Sequence, residues 1–464
     1  MMTFKIAFRN VLRNRRRSAM TLLAIAVGVI GIVLFGDFVR FVTAGLETNA
    51  VDKVGHLEVF RTGYFAFGAG NPAEFGIDDY ASVVKAIGDD PALAGKLSVV
   101  TPVVQLAGIA GNFALDVSKT FLGTGVVPSD RDRLRLWDEH GVNRRRLLPD
   151  SGLRDSDEAR GIVGVGVARV LGLCEPLKLD GCPARPKKSG PDGAALAVNL
   201  AGLAEAERPS QSPPDDDLAR IDLLAATAGG APNVVNMLVS RAEPQAAREL
   251  DDNFVAMHIG LAQRLLYGRT TPKATGIVVQ LRRTEDLAFA RQRLGQMFRE
   301  RHLDLEIRDF AELEPFYRQA VGMFRAIFLF ISLIMGIIVL FTIVNTMGMS
   351  VMERTTEIGT ARAMGVRRVG VRRVFLLEGA ILGAIGSTIG AAFAQVIGMV
   401  VNRASLTWTP PGQAAPSPLE VLTANSMGFV TLVWLAIVLA ATLAALIPAN
   451  RGARLEVVDA LRHV

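Results

Sequence analysis

The sequence has few of the residues from which metal sites and disulfide scaffolds are built. It contains only 2 cysteines, Cys174 and Cys182, in 464 residues. Its 5 histidines are scattered: His56, His140, His258, His302 and His463. Two cysteines are too few for a disulfide framework or a zinc module. We therefore expect no metal site and no metal cofactor on this chain.

The sequence also lacks a nucleotide-binding loop. Such a loop needs an early glycine and a final Gly-Lys-Ser/Thr, so that amides and lysine reach the phosphates. Gly95-Lys96 is followed by leucine and has no earlier glycine. Gly161, Gly164 and Gly166 have the wrong spacing for a dinucleotide loop and predict a tight turn. With no G-x-S-x-G elbow either, we predict no catalytic residue and a chain that is not an enzyme.

Four long uncharged stretches stand out. They cover residues 20–36, 326–352, 379–402 (extended backwards by 374–377) and 427–447. A helix that crosses a ~30 Å hydrocarbon core needs about 20 apolar residues. The first stretch is long enough only if its helix continues past Asp37. Charged residues still make up 21% of the chain, so the pattern predicts four membrane helices plus a soluble part. The alternative is a set of buried core helices.

Arginines beside these stretches predict their orientation. They flank the first stretch on its N-terminal side, the second and third on their shared side, and the fourth on its C-terminal side: Arg13, Arg15, Arg16, Arg17, Arg354, Arg362, Arg367, Arg368, Arg372, Arg373, Arg451, Arg454 and Arg462. Short cytoplasmic loops carry the excess of Lys and Arg. Both termini and the 353–373 loop are thus predicted to be cytoplasmic. Arginines placed beside apolar runs argue against nucleic acid as a partner.

The N-terminus has two interpretations. A basic region before an apolar one is also typical of a signal peptide, but this apolar run is long and no small-x-small cleavage site ends it. Phe4, Phe8, Val11 and Leu12 fall on one helical face, away from the basic side chains. We therefore predict a basic amphipathic helix on the inner leaflet, over residues 1–17.

The region between the first two stretches has the composition of a soluble α/β domain. Alternation predicts strands at 54–60 and 303–307, and a short apolar run predicts another at 276–281. Between the last two, Thr284 is expected to cap a helix over 285–301. The β-α-β order predicts a small mixed sheet with helices on one side.

A proline-rich stretch near 183–219 interrupts this region and predicts a flexible insertion between two subdomains. Cys174 and Cys182 lie just before it. Outside the cytoplasm they could form a disulfide, and the alternative is two unpaired buried thiols.

The loop after the second stretch carries an unusual charge pattern. Glu353 and Glu357 are four residues apart, a spacing at which like charges destabilise an isolated helix. Arg354 can offset Glu357, but Glu353 gains little. We therefore predict a helix that docks on a partner, and the alternative is a solvated connector.

This loop resembles the signature of the FtsX/MacB-type ABC permeases, the mechanotransmission class that includes lipoprotein-releasing permeases. In that family a motif similar to E-R-x-x-E-I-G-x-x-R-A-x-G forms a cytoplasmic coupling helix that sits in a groove of the ATPase. The corresponding positions are Glu353, Arg354, Glu357, Ile358, Gly359, Arg362, Ala363, Met364 and Gly365. Residues 7–14, 375–379, 448–454 and 459–462 are also similar to the family. Between about 60 and 260 the resemblance is weak.

Four glycines of the third stretch share one helical face: Gly379, Gly383, Gly386 and Gly390. Small residues at such spacing let helices approach closely in lipid. They are predicted to pack against another helix of this chain or against a second permease.

The resemblance implies the following organisation: an amphipathic helix (1–17), a first membrane helix and stalk (18–46), a periplasmic α/β domain (47–320), a second membrane helix and stalk (321–352), a coupling helix (353–373), a third membrane helix (374–402), a periplasmic loop (403–425), a fourth membrane helix (426–448) and a cytoplasmic tail (449–464). It also implies a bacterial inner-membrane location and a separate ATPase subunit that holds ATP and magnesium. A second permease subunit, identical or paralogous, is implied too.

The leading prediction is extraction of lipoproteins or lipids from the inner membrane for export. The alternatives are efflux of small molecules or peptides through a partner channel, and regulation of a cell-wall hydrolase. A periplasmic carrier or a membrane-fusion protein, together with membrane lipid, would be the further partners.

Overall fold

A computed structural model describes residues 2–68, 70–113, 115–142, 151–179, 219–245, 248–268, 271–408, 417–422 and 426–454. The proline-rich insertion, except Ala219, and Cys182 lie outside these ranges. The chain divides into two compact units. Unit 1 comprises Met1–Ala44, Gln319–Trp408 and Pro418–Val464, and unit 2 comprises Gly45–Arg318 and Thr409–Ser417.

Unit 1 is helical. Its helices are α1 (Met2–Arg13), α2 (Arg15–Val54, which continues into unit 2), α10 (Pro315–Glu353, which begins in unit 2), α11 (Thr355–Ala363), α12 (Arg368–Arg403), α13 (Met427–Ala444) and α14 (Leu446–Arg454). Within the described ranges, four helical segments are long and apolar enough to cross a membrane: α2, α10, α12, and α13 together with α14. At 1.5 Å per residue, the 40 residues of α2 extend about 60 Å, twice the thickness of a hydrocarbon core.

Two details differ from the sequence-based expectations for unit 1. The chain breaks at Asn14, so α1 is shorter than the predicted 1–17 segment. Val11 lies buried beside Ala7, whereas Phe4, Phe8 and Leu12 are exposed. The predicted apolar face is therefore split, because part of it packs on α12.

Unit 2 contains the strands and shorter helices. The strands are β1 (Leu57–Arg61), β2 (Leu97–Asn112), β3 (Val117–Val126), β4 (Arg160–Gly164), β5 (Arg220–Ala226), β6 (Pro232–Glu243), β7 (Phe254–His258), β8 (Gly276–Leu281) and β9 (Leu305–Asp309). The helices are α3 (Tyr80–Gly88), α4 (Pro128–Arg135), α5 (Val165–Val170), α6 (Arg248–Asp251), α7 (Ile259–Tyr267), α8 (Leu287–Glu300) and α9 (Phe310–Leu313). A π-helical turn spans Tyr64–Gly68, and a 3-10 turn spans Thr284–Asp286. Two further short strands are β10 (Thr407–Trp408), which belongs to unit 1, and β11 (Ser417–Pro418), which spans a boundary between the units in the sequence.

The sheet is larger than the small one predicted. Its strands run in the order β3-β7-β4-β6-β5-β2-β8-β1-β9, with β3 also pairing with β2. The long strand β2 makes this possible, because residues 97–103 pair with β8 while 104–112 pair with β3. Among the described strands, β2 to β7 therefore pair in a closed ring of six. Strands β8, β1 and β9 extend the sheet from the N-terminal half of β2.

Both faces of the β2-β8-β1-β9 part are covered. Apolar residues of α3 and α8 pack on one face with Leu57, Val59 and Ile277. Leu134 of α4 packs on the opposite face with Val278. The prediction of helices on one side was therefore wrong, since successive residues of a strand point to opposite faces and both are apolar here.

The glycine motif 161–166 forms the passage from β4 into α5. The amide groups of Val165 and Gly166 donate to the Asp251 carboxylate at 3.0 and 2.9 Å. A Cβ on Gly164 would lie 2.0 Å from the Asp251 carbonyl oxygen. This motif thus holds a carboxylate of its own chain.

The end of α2 joins the sheet through a hydrogen-bonded chain within unit 2. The Leu281 amide donates to His56 Nδ1 at 3.1 Å, His56 Nε2 lies 3.2 Å from Thr284 Oγ1, and Thr284 donates to Glu47 at 2.6 Å. Burial lowers the pKa of His56 to about 4, so the ring is neutral and accepts this amide hydrogen at neutral pH. Thr284 makes no capping bond to the helix after it, contrary to the prediction, because its hydroxyl oxygen accepts from His56 Nε2 and its hydroxyl hydrogen is donated to Glu47.

Candidate functional site

The segment between α10 and α12 is a short helix with well-defined ends. It starts where α10 ends, at Arg354, whose backbone is non-helical (φ −108°, ψ 18°). It stops at Gly365, which adopts φ +95°, a left-handed conformation that glycine takes without steric cost. Arg367 then precedes α12 in an extended conformation. The sequence therefore places α11 as a connector between two candidate membrane helices.

The predicted site residues divide into two groups. Arg354, Ile358 and Gly359 are buried. Ile358 packs in the core of unit 1 with Val351. Arg362 is half-buried, and the remaining members are exposed: Glu353, Glu357, Ala363, Met364 and Gly365. The exposed residues are the ones placed to contact a partner directly.

The two acidic residues are paired with arginines from the start of the chain. Arg13 Nη2 donates to Glu357 Oε1 at 2.8 Å, and Arg17 Nη1 donates to Glu353 Oε2 at 2.7 Å. The structure differs here from the sequence-based argument, which placed both acids on one helix and left Glu353 without much support. The helix breaks between them, so their mutual repulsion is relieved by separate partners. These pairs lie at the surface, where solvent screens them, so each contributes little to stability.

Arg354 turns inward and forms a buried ionic cluster that sequence reasoning missed. Its Nη1 donates to Glu378 Oε1 of α12 at 2.9 Å, and its Nη2 donates to the Asn10 carbonyl oxygen of α1 at 3.3 Å. Asn10 Nδ2 donates to the same Glu378 oxygen at 2.6 Å. The sequence does contain a signal for this cluster. Glu378 lies within a long apolar run, and an ionisable residue in such a run needs a partner.

The surface around the end of α11 is apolar as well as charged. Met364 is 76% exposed, and Val366 and Val369 are also exposed. Arg367 and Arg368 lie beside them. Exposed methionine and aliphatic side chains next to acids and arginines form a surface suited to docking a protein.

The four glycines of α12 pack within the chain. A Cβ on Gly383 would lie 2.7 Å from Ala441 Cβ of α13, and one on Gly390 would lie 2.7 Å from the Ala26 carbonyl oxygen of α2. Gly379 and Gly386 have similarly close neighbours. The sequence left two packing partners open, another helix of this chain or a second permease. In the structure these glycines pack against helices of the same chain.

Other predicted features stay outside this site. Cys174 lies in unit 2 and Cys182 lies outside the described residues, so their disulfide stays a prediction. Across the described part of the chain, no group of three or more His, Cys, Asp or Glu residues could hold a metal ion.

The comparison with protein families finds a match for residues 329–457, the FtsX-like permease C-terminal model. This range contains α11, α12 and α13, and therefore the whole candidate docking surface.

Several characterised relatives match the chain over part of its length. The macrolide export ATP-binding/permease protein MacB of Syntrophobacter fumaroxidans is 31% identical over 137 residues, which are 27% of this chain and 19% of the relative. The ABC transporter permease YtrF of Bacillus subtilis is 33% identical over 146 residues, 30% of this chain and 33% of the relative. The pyoverdine export ATP-binding/permease protein PvdT of Pseudomonas savastanoi is 26% identical over 240 residues, 49% of this chain and 33% of the relative. The chain thus spans about a fifth to a third of the length of these relatives.

Proposed function

We propose that this chain is an ABC transporter permease of the FtsX/MacB type. In this role it is the membrane subunit on which a separate cytoplasmic ATPase docks. One observation carries the proposal. The connector α11 presents Glu357 at its surface, next to the exposed Met364, while Ile358 on its other side packs in the helical core of unit 1 and beside Gly452 of α14. A force applied to this surface therefore acts on the helical core of unit 1.

In this proposal both termini and α11 lie in the cytoplasm of a bacterial cell, and unit 2 lies on the far side of the inner membrane. The arginines beside the membrane helices support this orientation. Helices α2 and α10 each continue without a break from unit 1 into unit 2. They would act as stalks that transmit movement when ATP, held with magnesium by the ATPase, draws two such assemblies together.

Export is the transport reaction that fits best, with two candidate cargoes, and regulation of a cell-wall hydrolase is the third candidate function. The names of MacB and PvdT describe export of a macrolide and of pyoverdine, which favours efflux of small molecules or peptides with a partner channel or membrane-fusion protein. Extraction of lipoproteins or lipids remains the alternative proposal. Loss of resistance on deletion would support efflux, a co-purified lipoprotein would support extraction, and a division defect would support hydrolase regulation.

The functional proposal predicts ATP hydrolysis only from a complex. The full chain in nanodiscs should show no hydrolysis of its own. Added to its ABC ATPase, it should change the steady-state rate by roughly tenfold, which corresponds to about 1.4 kcal/mol in activation free energy. Hydrolysis by the purified chain alone, or an ATPase rate that ignores the chain, would contradict the proposal.

The orientation predicts opposite labelling of two exposed positions. In a background with Cys174→Ser and Cys182→Ser, Ser98→Cys in β2 should react with a membrane-impermeant maleimide in intact spheroplasts. Thr360→Cys in α11 should react only after permeabilisation, since both side chains are exposed and differ only in compartment. Equal labelling of both in intact cells would overturn the topology.

A further inference from the structure

Three helices of unit 1 meet at the buried Asn10, Arg354 and Glu378 cluster. Arg354 and Glu378 are only 6% and 4% exposed. Asn10 belongs to α1, Glu378 belongs to α12, and Arg354 lies at the break between α10 and α11. A single Glu378 oxygen accepts from both partners, while Arg354 also donates to the α1 backbone. Each member therefore touches both of the others.

This cluster is an inefficient way to gain stability. Removing two charges from water is costly, and an apolar pair of similar volume is often as stable or more so. Arg354 Nε is buried and has no hydrogen-bond partner among the described residues, which adds to the cost. Two apolar side chains would pack here without it. The cluster must therefore contribute something that apolar packing does not.

What ionic hydrogen bonds supply is direction. The planar guanidinium group has its donors in fixed positions, so two bonds from Arg354 to different helices fix the orientation of its backbone. That backbone is the break at which α10 ends and α11 begins. The two acids on either side of it in sequence form ion pairs at the surface, Glu353 with Arg17 and Glu357 with Arg13. Arg354 is thus the charged residue at the start of the connector that is shielded from water.

We propose that Asn10, Arg354 and Glu378 are positioning residues that hold α11 in a fixed orientation against α1 and α12. A displacement of the docking surface then moves these helices together, instead of tilting α11 alone. This inference rests on the proposed function, because it assigns the cluster a role in transmitting that displacement.

The test replaces both charges at once. The double variant Arg354→Met/Glu378→Leu removes the ion pair without leaving an unpaired charge, so the chain should fold. Spin labels at Leu12→Cys in α1 and Met364→Cys after α11, in the Cys174→Ser/Cys182→Ser background, report the distance between the two helices in nanodiscs. Both positions are exposed. We expect a narrow distance distribution with the native pair and a broader one in the double variant. An equally narrow distribution in the double variant would overturn the inference.

The unlabelled double variant gives the second readout. It should bind the ATPase as the native chain does, yet the ATPase response should fall roughly tenfold, the size of coupling change that interior residues can produce.

Thr388→Val is the matched control in α12. It removes the hydroxyl that accepts from Trp434 Nε1 and should leave both readouts unchanged. A full ATPase response in the double variant would also overturn the inference. Failure of the native chain to bind any ATPase would instead sink the proposed function, while the distance measurement would still decide the role of the cluster.

Discussion

Replacing Glu357 by lysine is expected to weaken ATPase binding roughly 10- to 100-fold while the permease stays folded. The side chain is 55% exposed on α11, so lysine can be accommodated without burying a charge. Reversing a charge at an interface converts an attraction into a repulsion and costs several kcal/mol when the partner is close. A binding measurement between the full permease in nanodiscs and its ATPase gives the dissociation constant directly.

The bond from Arg13 to Glu357 makes a control necessary. Lysine at position 357 would also repel Arg13 and could displace α11 from α1. The double variant Arg13→Glu/Glu357→Lys restores an ion pair of opposite polarity between the same positions. If Glu357 contacts the ATPase, this variant should bind as weakly as Glu357→Lys alone. Restored binding would show that Glu357 acts only through Arg13, and unchanged binding in the single variant would count against docking at this surface.

The difference between prediction and structure is clearest at this connector. The sequence identified the connector and its acids, because an uncharged run is easily recognised and the motif is specific. It could not identify Arg13 and Arg17 as partners, since they precede Glu357 and Glu353 by 344 and 336 residues. Pairing at such a separation is decided by how helices pack, and spacing along one helix carries no information about it.

Unit 2 shows the same limit in another form. The strand at Gly276–Leu281 was predicted with its boundaries, because a short apolar run is a local signal. The closed pairing of six strands was not predicted. It depends on the 16-residue strand β2 serving two sheet regions, which periodicity within any one strand cannot reveal. Thr284 was misassigned for a related reason, since its hydroxyl bonds to Glu47, 237 residues away.

Enlarging Gly390 is expected to disrupt the helical core of unit 1. A Cβ at this position would lie 2.7 Å from the Ala26 carbonyl oxygen and 2.8 Å from Val29 Cβ. Backbone atoms cannot move aside as the end of a flexible side chain can, so α12 and α2 would have to separate. Overpacking of this kind costs about 1–3 kcal/mol. Gly390→Ala should therefore lower the free energy of unfolding by that amount, and Gly390→Leu should prevent recovery of folded protein.

The matched control is Gly336 in α10, another glycine in an uncharged stretch. A Cβ there would meet no described atom within 4 Å, so Gly336→Ala should not lower stability, and it should raise the free energy of unfolding by roughly 0.5–1 kcal/mol because glycine is less stable than alanine inside a helix. Thermal unfolding of the full chain in the same nanodiscs compares the two. If Gly390→Ala kept its stability but lost association with a second permease, the glycine face of α12 would serve an interface between chains. Loss of stability in Gly390→Ala alone would show that this face closes the core on which α11 is mounted.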